Sequence, residues 1–155
     1  MTNKTRKVVY NSRSIGGILS KFATSFQFKL LYFYKDKEVV DLIKQIKKEV
    51  DFAFYPYEAF MIHSIVKTQA TIEGDLAEVG VYQGGSAKLI CEVKKGKKLY
   101  LFDTFTGLPE VSNEDTHFGE KHWHDNEFSN TSAESIRKLL DKYENVHIIK
   151  GNFPE

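Results

Sequence analysis

The chain has 155 residues, is 41% hydrophobic and carries a formal net charge of +1. It holds no apolar run near the ~20 residues of a membrane span, so a single soluble globular domain is expected and a transmembrane bundle is excluded. The near-neutral balance gives no global case for nucleic acid as a partner, and none is expected.

The balance hides a split, because seven of the 22 Lys and Arg fall in residues 1–35, which hold no acid. These residues read as a basic, aromatic N-terminal arm, separate from a domain over 36–155. Lys4, Arg6, Lys7 and Arg13 precede Phe22, Phe26, Phe28, Tyr32, Phe33 and Tyr34. Three readings stand: a transit peptide, a cationic helix in weak contact with a membrane surface, or an arm packed on the fold. With no small-residue cleavage site and no uninterrupted apolar core, the pattern favours the last two over a cleaved signal. Phe22, Phe26, Lys29, Leu30 and Phe33 share one helical face, which predicts an amphipathic helix over 15–34.

Asp36 is placed to cap a second helix whose apolar positions Val39, Ile43, Ile46 and Val50 recur at steps of four and three, with Lys44, Lys47 and Lys48 turned to water. Pro56 suits the first turn of a third helix, for which Tyr57, Phe60, Met61 and Ile65 are the expected inward stripe. His63, alone among apolar neighbours, reads as a structural histidine.

Gly74-Asp75 ends this helical region and opens a strand over 76–82. Its nearly continuous apolar content suits a strand covered on both faces, as in a parallel sheet. Glu78 is the exception. A carboxylate there is expensive to bury without donors or a positive charge, so it is expected near the strand's outer end, facing a ligand. The alternative is a side chain bonded to its own loop. Gly80, Gly84 and Gly85 then form a turn that can lie close to a ligand, and the following helix, over 86–93, starts with free N–H groups facing it.

Lys94-Lys-Gly-Lys-Lys98 reads as solvated punctuation at the helix's negative end. Cys91, on the same helix, has no disulfide partner in the chain, which fits a reducing cytosol and a cytoplasmic protein; it is expected to pack rather than react. A second apolar strand ends at Asp103, 23 positions beyond Gly80. That is near the ~20-residue offset at which an acid reaches a ribose hydroxyl pair.

Residues 104–130 form a long polar connection holding His117, His122, Trp123 and His124, expected to act as a lid over a substrate rather than as a metal site. Thr131-Ser-Ala-Glu134 matches a capping box, with a helix expected over 132–143, and 145–150 is a third strand. Strand, helix, strand, helix, strand predicts an α/β fold: a parallel sheet with right-handed crossovers and a ligand at the carboxyl ends of the strands.

Three elements, Ala77-Glu-Val-Gly-Val-Tyr-Gln-Gly-Gly-Ser86, Leu101-Phe-Asp-Thr-Phe-Thr-Gly-Leu-Pro109 and Lys150-Gly-Asn-Phe-Pro154, together resemble the macrocin-type (TylF-like) O-methyltransferases of the class I S-adenosylmethionine-dependent group. The resemblance implies the N-terminal half of a Rossmann-like class I methyltransferase fold, with parallel strands 1–3 and preceding helices. It implies that Glu78, Gly80, Gly84, Gly85 and Ser86 surround the methionine part of S-adenosylmethionine. Asp103, followed by Thr104, would meet the ribose, and Asn152 would edge the adenine.

A carboxylate at 78 complements the cofactor's ammonium and sulfonium but repels a dinucleotide pyrophosphate, and Gly-x-x-x-Gly-Gly is not the Gly-x-Gly-x-x-Gly of NAD sites. The resemblance also implies magnesium held by acids on and after a fourth strand, which would have to be supplied beyond Glu155. The chain therefore reads as truncated after its third strand and inactive alone, with no catalytic residue assigned. It is expected to leave the Glu78 strand as an open edge for a completing chain or a second copy. The expected acceptor is a hydroxyl of a small molecule such as a sugar or secondary metabolite. Alternatives are a non-catalytic module pairing through that edge and an NAD- or nucleotide-sugar-binding half-domain.

Overall fold

The computed structural model describes residues 15–50, 52, 54–108, 116–117, 120–121 and 127–154. Three helices come first: α1 (Ile15–Tyr34), α2 (Lys37–Glu49) and α3 (Pro56–Gln69). They are followed by β1 (Leu76–Val79), α4 (Gly85–Val93), β2 (Leu99–Asp103), a small hairpin of β3 (Thr116–His117) and β4 (Glu120–Lys121), α5 (Ala133–Leu139) and β5 (Val146–Lys150). This is an α/β, Rossmann-like arrangement. Strands β1, β2 and β5 form a parallel sheet in that order, with Glu78 opposite Leu101 and Leu101 opposite Ile148.

Both crossovers step in the same direction across the sheet, and both helices lie on the same face, as two crossovers of one hand require. Ala87, Ile90 and Cys91 of α4 and Ile136 of α5 close over Leu99 and Leu101, with Leu76, Val146 and Ile148 at the margin of the same core. Strand alternation then sorts the side chains. Leu76, Glu78, Leu101 and Asp103 point toward the helices, and Ala77, Val79, Tyr100, Phe102, His147 and Ile149 point away from them.

The expectation that the first strand is covered on both faces is corrected here. Val79 is 57% exposed, and β1 is an edge strand among the described residues. An apolar run signals that both faces want cover, and the described elements supply only one.

A second core forms where Val39, Ile43 and Ile46 of α2 meet Ala59 of α3 and Leu89 of α4. Asp36 caps α2 as predicted, accepting from the Glu38 N–H at 3.0 Å. Leu31 anchors α1, so the helical part of the arm is packed on the fold.

The inward face of α3 is not the predicted stripe. Pro56, Ala59 and His63 are buried, whereas Tyr57, Met61 and Ile65 are exposed. The helical period holds but its phase differs: apolar residues lie on both sides of α3, and the small Ala59 allows close approach. Burial also holds the His63 pKa below its ordinary value, which keeps the imidazole neutral.

Two further corrections concern polar residues. Lys94 is buried rather than solvated, donating to the carbonyls of Lys97 (2.8 Å) and Glu144 (2.7 Å) at the end of α4. Helix α5 is capped by Ser132, which exchanges bonds with Ser135, and it ends at Leu139 rather than 143. Thr131 donates its hydroxyl to the Tyr82 carbonyl instead.

Candidate functional site

The site is built where the three parallel strands end. Gly80 donates to the Phe102 carbonyl (2.9 Å) as the last bond between β1 and β2, and at φ +84° it turns the chain out of the sheet. Asp103, at the end of β2, catches the departing backbone. Its Oδ2 accepts from the N–H groups of Val81 (2.6 Å) and Tyr82 (2.9 Å), and its Oδ1 accepts from Phe105 N–H (2.6 Å). Its carbonyl accepts from Gly151 N–H (3.1 Å), just past β5. One residue thus ties the ends of all three strands. A carboxylate offers about four acceptor positions, and bonds from the described residues use three, which leaves one on Oδ1.

Glu78 lies on the same face of the sheet, beneath the start of α4. The Ser86 hydroxyl donates to its Oε1, while Oε2 is sealed from solvent without a hydrogen-bond partner. Burial pushes the Glu78 carboxyl up to about 7, the Ser86 bond pulling it back and the Asp103 charge adding to the rise. The two acids are therefore electrostatic neighbours flanking one turn. Cys91, deeper in the same core, has its thiol pushed up to about 12 by burial, so it is inert as a nucleophile.

A cavity of about 410 Å³ opens over the strand ends. Gly80, Asp103, Thr104 and Asn152 are on its wall, as are the aromatic rings of Tyr82, Phe102, Phe128 and Phe153. Tyr82 meets Phe128 edge-on at 5.0 Å, and Phe102 meets Phe153 at 5.1 Å. The volume and mostly apolar lining suit a small organic ligand. Thr104 closes its own turn, donating to the Gly107 carbonyl at 3.0 Å.

Glu78, Gly84, Gly85 and Ser86 are not on that wall. A Cβ at Gly84 would sit 2.9 Å from Leu139 Cδ2, and one at Gly85 would sit 2.7 Å from the Phe52 ring. Close helix packing alone accounts for both glycines. They let α5 and the Phe52 segment press on the start of α4, which fixes Ser86 against Glu78.

Sequence reasoning missed Gly107, Leu108, Phe128 and Phe153. Gly107 is required because the returning chain crosses it: a Cβ there would meet the Glu127 carbonyl at 2.7 Å. Leu108 N–H donates to that same carbonyl at 2.8 Å, pinning the two ends of the long connection together. The Phe-Asp-x-Phe-x-Gly-Leu-Pro run was the available signal for Gly107 and Leu108. His122, Trp123 and His124, expected in the lid, lie outside the described residues.

A family model for macrocin O-methyltransferase (TylF) matches residues 60–155. No curated protein sequence matches the chain. Among solved structures the chain is similar to the crystal structure of CalS11, a calicheamicin methyltransferase, with a TM-score of 0.53 and 13% identity. The match covers 85% of this chain and 58% of that one, and at this identity it shows the fold alone. The family match takes in the glycine turn, the Asp103 element and the stretch after β5, so the chain belongs to the macrocin O-methyltransferase (TylF) family.

Proposed function

We propose that this chain is the cofactor-binding portion of an S-adenosylmethionine-dependent O-methyltransferase that methylates a hydroxyl of a small molecule such as a sugar or secondary metabolite. The observation that carries the reading is the cavity at the strand ends with Asp103 and Asn152 on its wall; the partnerless Oε2 of Glu78 lies off that wall, beneath the glycine turn beside Asp103. A buried acceptor of that kind is stabilised by a cationic donor, and the cofactor's ammonium is one. Helix α4 starts without a side-chain cap, so its first N–H groups suit the cofactor's carboxylate. The last acceptor position of Asp103 Oδ1 suits a ribose hydroxyl. The aromatic wall near Asn152 suits adenine.

When bound, the cofactor supplies a methyl group activated by a sulfonium. The protein's own work on this reading is to orient it: Ser86 fixes Glu78, and Asp103 fixes the turn.

A thermal-shift titration tests the cofactor class. S-adenosylhomocysteine should raise the melting temperature in a saturable way and NAD should not, because Glu78 repels a pyrophosphate. Stabilisation by NAD alone would overturn the assignment in favour of a dinucleotide site.

A further inference from the structure

Helices α1 and α2 pack on each other, and a groove of about 940 Å³ opens between them. Its wall carries Lys21 and Lys29 of α1 and Lys44, Lys47 and Lys48 of α2, together with the hydroxyls of Ser20, Thr24 and Ser25. The neighbouring acids of α2 are already engaged. Asp41 accepts from the Tyr32 hydroxyl and lies 3.6 Å from Lys44, and Glu49 pairs with the buried Lys88. Among the described residues no carboxylate pairs with Lys21, Lys29, Lys47 or Lys48. Two of the cations are also held in place. Lys44 stands over the Tyr32 ring at 3.9 Å and the Phe28 ring at 5.6 Å, and Lys47 stands over the Phe52 ring at 5.3 Å. Ammonium groups gathered along one groove repel each other until an anion enters.

We propose that this groove binds a soluble small molecule that carries several phosphate groups along its length. Lys21 and Lys29 are eight residues apart on one helix, which at ~1.5 Å per residue separates them by about 12 Å. No single compact anion meets both. A phosphate group brings up to about two charges and three strong acceptor oxygens, so a few such groups answer the ammonium groups and the hydroxyls together. Lysine serves phosphate as a point charge, without the planar fork that a carboxylate favours. An acidic peptide would need a carboxylate at nearly every residue to supply the same charge. The groove is also concave, which suits a molecule that enters it better than a flat bilayer. This binding does not rest on the cofactor reading, because none of the groove residues stands on the wall of the strand-end cavity.

Calorimetric titration of the full chain with inositol hexakisphosphate tests the proposal. Binding should be saturable and should weaken as salt rises, and inorganic phosphate should bind at least about tenfold less tightly. The triple variant Lys21→Gln/Lys29→Gln/Lys48→Gln should weaken binding of the hexakisphosphate about tenfold. A charge-matched control off the groove, Lys67→Gln/Lys95→Gln/Lys98→Gln, should change it by no more than about twofold. Both variants should keep the wild-type melting curve, because the altered side chains are exposed. Equal weakening in the two variants would overturn the proposal, since the attraction would then be diffuse charge. So would an absence of binding, a poly-glutamate peptide that binds more tightly than the hexakisphosphate, or association with phosphatidylglycerol vesicles but not with the soluble probe.

Discussion

Ser86 donates its hydroxyl to one oxygen of Glu78 and leaves the other oxygen buried with nothing to accept from. The resulting carboxyl, raised to about 7, makes folding stability depend on pH. Below the ordinary value of 4.5 the acid is protonated in both states. As pH rises from there to about 7, the unfolded chain gives up its proton while the folded protein keeps it, and stability is lost. Glu78→Gln removes that loss, so it should stabilise the fold by about 2 kcal/mol more at pH 8 than at pH 5. Urea denaturation at the two pH values checks this, and an equal effect at both would refute it.

The same carboxyl should couple cofactor binding to protons. An ammonium pairs with the ionised form, so affinity for S-adenosylhomocysteine should fall as pH drops below about 7, approaching tenfold per unit. Calorimetry at pH 6 in two buffers of different ionisation heat should show release of about one proton per cofactor bound. A pH-independent affinity would mean that Glu78 does not meet the ammonium.

Asp103 has a structural task whatever it binds. Replacing it by Ala strips the acceptor from Val81, Tyr82 and Phe105 N–H groups at once. Such charge-assisted bonds are worth more than neutral ones, so a loss of ~2–4 kcal/mol is expected. Asp103→Asn, with a single carbonyl oxygen, should fall between the two. Chemical denaturation ranks the three proteins, and an unchanged Asp103→Ala would contradict the geometry.

Gly80 and Gly84 should separate binding from packing. At Gly84, φ is +79° and a Cβ would press on Leu139, so Gly84→Ala should cost ~2 kcal/mol, partly recovered by adding Leu139→Ala. A Cβ at Gly80 meets nothing within 4 Å but stands on the cavity wall. Gly80→Ala should therefore cost only ~1 kcal/mol of backbone strain while lowering cofactor affinity more than stability. Melting curves read beside calorimetric affinities decide it.

Local chemistry made much of this legible in the sequence. The Asp36 cap, the parallel order of the strands and the offset from Gly80 to Asp103 all depend on residues close in the chain or on a regular period. What escaped depends on partners far away in sequence. Thr131 and Ser132 are equivalent as caps until the Tyr82 carbonyl claims the threonine. Gly107 looks like any turn glycine until Glu127 and Ser129 come back across it. The helical period of α3 is visible, but its phase is set by which side α4 approaches. The bare face of β1 reads as apolar whether or not a second layer is there to cover it.

On the proposed reading, Glu78 and Asp103 together hold an adenosyl cofactor through its cationic and ribose ends. Calorimetric titration of S-adenosylhomocysteine into the wild-type chain and into Glu78→Gln at pH 8 tests it most directly. The expected result is saturable binding by the wild type and an affinity at least about tenfold weaker in the variant, as for loss of a buried charged partner. The same affinity in both proteins, or no binding by the wild type, would contradict it.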